Sequence, residues 1–479
     1  MELNPQSIRD NLSKIGTKQA SFLLKEWIIN SNDFKVRKEA LELFGLIDDG
    51  NNFEFYEQLF LSDEFIEIRM ITGNILKDKY LKHKKILSLV EYILLRVDNF
   101  ELKFLAVEIL NEMDTRVSRK IIKNFLVTYI QTKLEKKIKE FPKEIFIKDY
   151  DYLISPQVLE ICLNLILYDY YTYECGYSVS LKNGLIILLN CEGAHLKQIK
   201  DIIALNRLTH LEHLLVLRNN IEKIDGLDVL PKLKIVDFSS NKIKTIENLE
   251  HLIFLEELNL SENKIEKIEN LESLKNLKKL NLEGNNISVI EGLENLKNLE
   301  ELNLNKNNIT EIKNINNLTN LIRISLSFNQ ITSISGLTEL ENLIWLTLND
   351  NKISQIQGLD RLHNLKVLNL TNNLIERVEN LDTLQNLIKL ELSNNKIQKI
   401  EGFKNLKKLQ ELFLDRNYIK SMEGIEYLEK VIILFLECNE ISEFDNKIIE
   451  NLKNLNFLFL NENPLTSHSW LCYKKWSRL

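Results

Sequence analysis

Residues 255–276 read LEELNLSENKIEKIENLESLKN, and residues 277–298 read LKKLNLEGNNISVIEGLENLKN. The two align without a gap at a spacing of 22 residues. Apolar residues fall at Leu255, Leu258, Leu260, Ile265, Ile268, Leu271 and Leu274, and 22 residues later at Leu277, Leu280, Leu282, Ile287, Ile290, Leu293 and Leu296. Outward from this pair the same template starts at 211, 233, 299, 321, 343, 365, 387, 409 and 431. It starts a last time at Leu455, after a two-residue insertion, which makes twelve units. All twelve carry asparagine at one template position: Asn219, Asn241, Asn263, Asn285, Asn307, Asn329, Asn351, Asn373, Asn395, Asn417, Asn439 and Asn463. Self-similarity at a fixed period of this length is the mark of a stacked repeat.

The local chemistry agrees with the period. Leu-x-Leu alternates with period two, so it predicts a short strand with the leucines inward and their neighbours outward. The chain then turns at asparagine. A side-chain amide both donates and accepts, so it can pair turn groups that would otherwise be buried alone. Stacked twelve times, these amides are expected to form a ladder. Few residues separate asparagine from the next strand, so the convex side is expected to be extended or 3₁₀ rather than helical. One unit is too small to offset the entropy of ordering it, so each must lean on its neighbours.

The unit resembles the 22-residue class of leucine-rich repeats, as found in a protein phosphatase 1 regulatory subunit and in bacterial internalins. The resemblance implies a curved solenoid with a parallel β-sheet on its concave face, spanning residues 211–463. Residues 191–210, with Leu196, Ile199, Ile202, Leu205 and Leu208, read as an N-terminal cap or degenerate repeat. Residues 464–479 read as a C-terminal cap carrying Trp470, Leu471 and Trp476. The resemblance also implies a protein-binding scaffold or regulatory subunit, with a phosphatase as one alternative partner. That the chain is itself a secreted adhesin of the internalin kind is a further alternative, although Met1-Glu2-Leu3-Asn4-Pro5 does not read as a leader peptide.

Residues 1–190 lack this period and show helical spacing instead, as in Leu102, Leu105, Ala106, Ile109 and Leu110. A weaker motif recurs. Val36-Arg37, Ala40 and Phe44 return as Ile68-Arg69, Thr72 and Leu76, then as Leu102-Lys103, Ala106 and Leu110. Asp33, Asp63 and Asp98 precede the three copies. This resembles HEAT or armadillo repeats. It implies an all-α superhelical domain in which the small residue lets helices approach and the basic residue meets a neighbour's acid.

The charge balance, 62 basic against 69 acidic residues in 479, offers no basic face for phosphates, so a nucleic-acid partner is not expected. No apolar run is long enough to span a membrane. Five cysteines with no Cys-x-x-Cys spacing suggest free thiols in a reducing, cytoplasmic setting. Heavy use of Lys, Asn, Ile and Glu is compatible with an AT-rich genome. No phosphate loop or His-Glu-x-x-His motif occurs, and no cofactor or metal is expected. His210 and His213 form the one close histidine pair, read as solvated, and Cys438 reads as a turn residue. An enzyme would need a pocket of titratable groups between the two halves.

Binding is therefore expected on the outward strand positions, with another protein as partner. The residue between the paired strand leucines is polar through the middle repeats and ends in Phe413, Phe435 and Phe459. The column before it ends in Ile433 and Phe457 and carries Trp345 midway. The column after it includes Asp415 and Glu437. An aromatic row beside two carboxylates suggests an apolar grip with a cation alongside. The alternative is that residues 467–479 fold back over the rings.

Overall fold

The computed structural model describes residues 4–147, 151–445, 447, 449 and 452–476. The chain forms two units that divide between Ile186 and Ile187. The expected boundary at 190 thus moves into the strand Leu185–Asn190.

In the first unit the helical spacing yields successive pairs. Thr17–Asn30 packs on Phe34–Ile47, Phe53–Ser62 on Ile66–Tyr80, and Ile86–Arg96 on Phe100–Met113. Ile66–Tyr80 also packs on both Phe34–Ile47 and Phe100–Met113, so the second helices stack in a row. Ala40, Thr72 and Ala106 are fully buried along that row. Gly73 sets the tightest approach: a Cβ there would lie 2.4 Å from Leu105 Cδ2 and 2.6 Å from Phe60 Cε2.

The basic residue of the motif has a shared job. Arg37 Nε donates to Ile28 O at 2.8 Å, and Arg69 Nε donates to Phe60 O at 2.8 Å. Both carbonyls lie in the last turn of the pair's first helix, where the helix dipole favours a cation. Arg37 also pairs with Asp63 of the following pair. Lys103 differs, reaching Asp98 of its own pair at 3.3 Å. Asp33 instead caps its helix, accepting from Lys35 N at 2.8 Å.

In the second unit each repeat contributes a three-residue strand, from His213–Leu215 to Phe457–Phe459. All pair in parallel and in register, as in Leu258 with Leu280 and Leu280 with Leu302. The middle residue is buried and its neighbours are half-buried or exposed. Leu255, Leu258, Leu260, Ile265, Ile268, Leu271 and Leu274 are each at most 1% exposed, so the template's apolar positions are the core. The convex side consists of turns, with short 3₁₀ stretches such as Ile425–Tyr427.

Three rows of asparagine tie one turn to the next. In the first, Asn263 Nδ2 donates to Leu260 O and Ser261 O in its own turn, and to Phe238 O in the turn before, at 2.9–3.1 Å. Its Oδ1 accepts from Ile243 N of that earlier turn at 2.9 Å. The pattern runs from Asn219 to Asn463. The strand register places Ala194 one position earlier in the series. The second row sits where the convex turn needs a positive φ. Asn248, Asn270, Asn314 and Asn380 adopt it and donate to the preceding turn's Ile224, Ile246, Ile290 and Ile356 carbonyls at 2.7–2.8 Å. Glycine takes this place in other turns, for example Gly292 and Gly336. The third row, which includes Asn276, Asn298, Asn320, Asn342, Asn364 and Asn386, donates to exposed carbonyls of the turn before. The abundance of asparagine is therefore structural.

The two-residue insertion falls in the eleventh unit, between Ile441 and Asn454, because Ile441 N still reaches Asn463 Oδ1 and Asn454 still reaches Glu429 O. Part of that stretch lies outside the described residues. The helix Ser467–Trp476 then closes the edge. Tyr473 is buried; its hydroxyl donates to Leu458 O at 2.9 Å and accepts from Leu460 N at 3.4 Å, groups the last strand has no further neighbour to satisfy. Leu471, by contrast, is 58% exposed, so of the expected cap residues it contributes least to the seal.

Two stability measurements follow. Asn285→Leu should lower the unfolding free energy by about 3 kcal/mol in urea titration, because it leaves several buried backbone groups unpaired; a loss under about 1 kcal/mol would mean that the amide is dispensable. Tyr473→Phe should cost about 1–2 kcal/mol and speed exchange of the Leu460 amide, whereas unchanged exchange there would show that the hydroxyl does not close the edge.

Candidate functional site

The strand period sets two residues of every strand outward on the concave face, and the parallel register lines them up in columns. In the column between the inward leucines, asparagine has a local task. Asn259, Asn281, Asn303 and Asn369 accept through Oδ1 from the amide two residues on, at 2.9–3.1 Å. Asp237 and Asn190 do the same at 2.8 and 3.0 Å. Each fixes the exit from the strand into the turn.

Phe413, Phe435 and Phe459 occupy this position in three consecutive strands and have no acceptor to offer. They stack instead. The centroids of Phe413 and Phe435 are 4.8 Å apart with planes 12° from parallel, and those of Phe435 and Phe459 are 4.2 Å apart at 11°. All three are partly exposed. Ile433 and Phe457 adjoin them in register, with Phe457 54% exposed. The described contacts of the C-terminal helix go to the edge and underside of the last turns: Tyr473 to Leu458, Leu460 and Phe444, and Ser469 to Phe444 N.

The surrounding charge is uneven. Lys389 Nζ lies 5.0 Å from the Phe413 centroid, 2.7 Å from Glu391 and 3.6 Å from Glu411. Burial works against its charge, but the hydrogen bond and charge of Glu391, with Glu411 beside it, hold its pKa above the ordinary value. Two residues beyond the rings, Asp415 accepts from Ser393 Oγ and Glu437 accepts from Asn461 Nδ2. Trp345 stands apart from the stack, with the Arg323 guanidinium 5.0 Å from its ring. The structure thus groups Phe413, Phe435, Phe459, Ile433, Phe457, Asp415 and Glu437, and leaves Trp345 separate. Lys389 is the member that sequence reasoning did not assign to the group; its place one strand before Glu411 was the available signal.

The earlier half of the concave face is a trough of about 460 Å³ whose lining includes Asp237, Glu257, Lys279, Glu301 and Arg323. Its charges offset one another, as in Lys279 with Glu257 at 2.8 Å. Among the described residues no group of three or more His, Cys, Asp or Glu side chains could hold a metal ion, and no helix is long and apolar enough to cross a membrane. Burial pushes the Cys162 and Cys175 thiols up, and the hydrogen bond to Glu462 does the same for Cys438. None of these three is an activated nucleophile. Cys438 sits at φ 53° before Asn439, in the turn.

Comparison with known proteins agrees with this geometry. The family model described as leucine-rich repeats in two copies matches residues 253–296, 297–339, 341–383 and 385–427. Among solved structures, an internalin, InlF, from Listeria monocytogenes is 33% identical over 59% of this chain and 82% of its own, with a TM-score of 0.55. The leucine-rich repeat domain of APL1B is 18% identical over 68% of this chain and 92% of its own, with a TM-score of 0.52, and shares the fold alone. No curated protein matches the chain. With its repeated strand, its asparagine ladder and these likenesses, the chain belongs to the leucine-rich repeat proteins.

Proposed function

We propose that this protein is a non-catalytic scaffold or regulatory subunit that binds another protein on the concave face of its repeats, at the column Phe413, Phe435 and Phe459. The observation that carries the reading is the exchange made there. Three successive strands give up the side-chain cap that asparagine supplies elsewhere and set partly exposed rings in its place. A local cap given up in three consecutive strands for rings that stay partly exposed points to function, and stacked aromatic residues on a rigid sheet suit an interface centre. Leucine-rich repeat proteins commonly serve as interaction scaffolds, and the mixed surface charge favours a protein over a nucleic acid. Trp345 extends the same face as a second contact. The stacked helix pairs of the first unit fit HEAT-type repeats. The five free thiols fit a reducing, cytoplasmic setting.

The test is an affinity pull-down from native lysate, read by mass spectrometry, with the wild type beside a Phe413→Asn/Phe435→Asn variant. Asparagine is the residue that four other repeat strands carry there, at Asn259, Asn281, Asn303 and Asn369, so the variant should keep its melting temperature while its capture of the partner falls at least tenfold. Equal capture by both would contradict the column as the binding site.

A further inference from the structure

We infer that the occupant of this site is an extended segment of a partner protein that carries an arginine and an aromatic residue on one face, separated by a single residue. The inference rests on the reading above and adds the partner's chemistry.

The rings decide where an apolar group goes. Their faces are turned toward each other along the stack, and Lys389 already lies against Phe413. What the column offers to the concave side is therefore ring edge, which bears partial positive charge. A cation is poorly placed against such edges, whereas the face of a partner's aromatic ring lies well on them, edge to face.

The carboxylates decide where the cation goes. Asp415 and Glu437 lie two residues past the rings, just beyond the ends of two neighbouring strands, where the backbones stay paired through Arg416 N donating to Glu437 O at 2.9 Å, and their described side-chain contacts are with the neutral Ser393 and Asn461. The nearest ammonium, Lys389, is held by Glu391 and Glu411. Neighbouring strands are about 4.8 Å apart, so two like charges face the groove side by side. A planar guanidinium spans such a pair with several donors at once, which a point-charge ammonium does not. In the last strands and the turns that leave them, residues 389–394, 411–416, 433–438 and 457–462, the charged residues are Glu391, Glu411, Asp415, Glu437 and Glu462 against Lys389 and Arg416, so the charge there also draws a basic segment.

The spacing decides the order. Ring and carboxylate are two residues apart along the chain, about 6.6 Å for extended backbone. An extended partner running along the strands presents side chains on one face at the same interval, with arginine over the carboxylates and the aromatic residue over the rings.

A library of random twelve-residue peptides displayed on phage, selected on the wild type and depleted on the Phe413→Asn/Phe435→Asn variant, tests this. Winning peptides would be synthesised with a fluorophore and measured by anisotropy against the wild type and an isosteric Asp415→Asn/Glu437→Gln variant of unchanged melting temperature. The expected result is enrichment of arginine and an aromatic residue with one residue between them. Binding should be about tenfold weaker to the Asp415→Asn/Glu437→Gln variant, and weaker again when the peptide's arginine becomes lysine. Winners that are neutral or acidic, or that bind both proteins equally, would overturn the arginine assignment while leaving the aromatic column standing. Failure to enrich any peptide above the depleted background would count against the column itself, and so against the function proposed above.

Discussion

Each turn of the solenoid rests on a side-chain amide that belongs half to itself and half to the turn before. Asn285 shows the arrangement: it donates to Leu282 O and Glu283 O beside it and to Leu260 O behind it, and accepts from Ile265 N. A sharp turn next to an apolar core leaves backbone groups out of reach of water, and unpaired they would oppose folding. Asparagine offers both donor and acceptor at that reach, whereas a carboxylate lacks the donor and leucine lacks both. Because the amide's partners lie in two turns, one repeat cannot complete its own hydrogen bonding. Stability is therefore a property of the stack.

The concave face inherits its order from that stitching. Strands held in register present side chains in straight columns, and each side chain in a column meets the one at the same place in the next strand. In the column before the inward leucine this gives alternating charge, with Glu257, Lys279, Glu301 and Arg323 following one another. At the C-terminal end it gives three stacked rings, with Asp415 and Glu437 two residues beyond the first two of them. Stacking stabilises the phenylalanines within the sheet, yet it leaves their edges and the neighbouring carboxylates facing outward. Stability and recognition are thus settled at one position in opposite ways: asparagine where the turn is capped, phenylalanine where something else has to be met.

Much of this was legible because the repeat is strict. The period gave the strands, the inward leucines gave the core, and the recurring Asn219 to Asn463 marked the ladder. What escaped was aperiodic or shared between residues. Tyr473 appears once, and nothing in its surroundings marks it as the group that closes the last strand. Gly73 matters because of Leu105 and Phe60, which lie far from one another in sequence. The second and third asparagine rows were visible as composition but looked like genomic bias, because glycine replaces asparagine in some turns of the second row. The phenylalanine column was legible as exposed, but not its ring-to-ring geometry, which depends on side-chain torsions that no spacing rule contains.

The most direct test of the stitching is native-state hydrogen exchange on the intact chain, resolved at the amides of Ile243, Ile265 and Ile287, which donate to the ladder oxygens of the following turns. The account predicts that they exchange as slowly as the amides of the strand cores, because opening them requires separating two turns. Exchange as fast as that of the exposed convex turns, with the strands still protected, would show that strand pairing alone holds the solenoid and would contradict the ladder's central place.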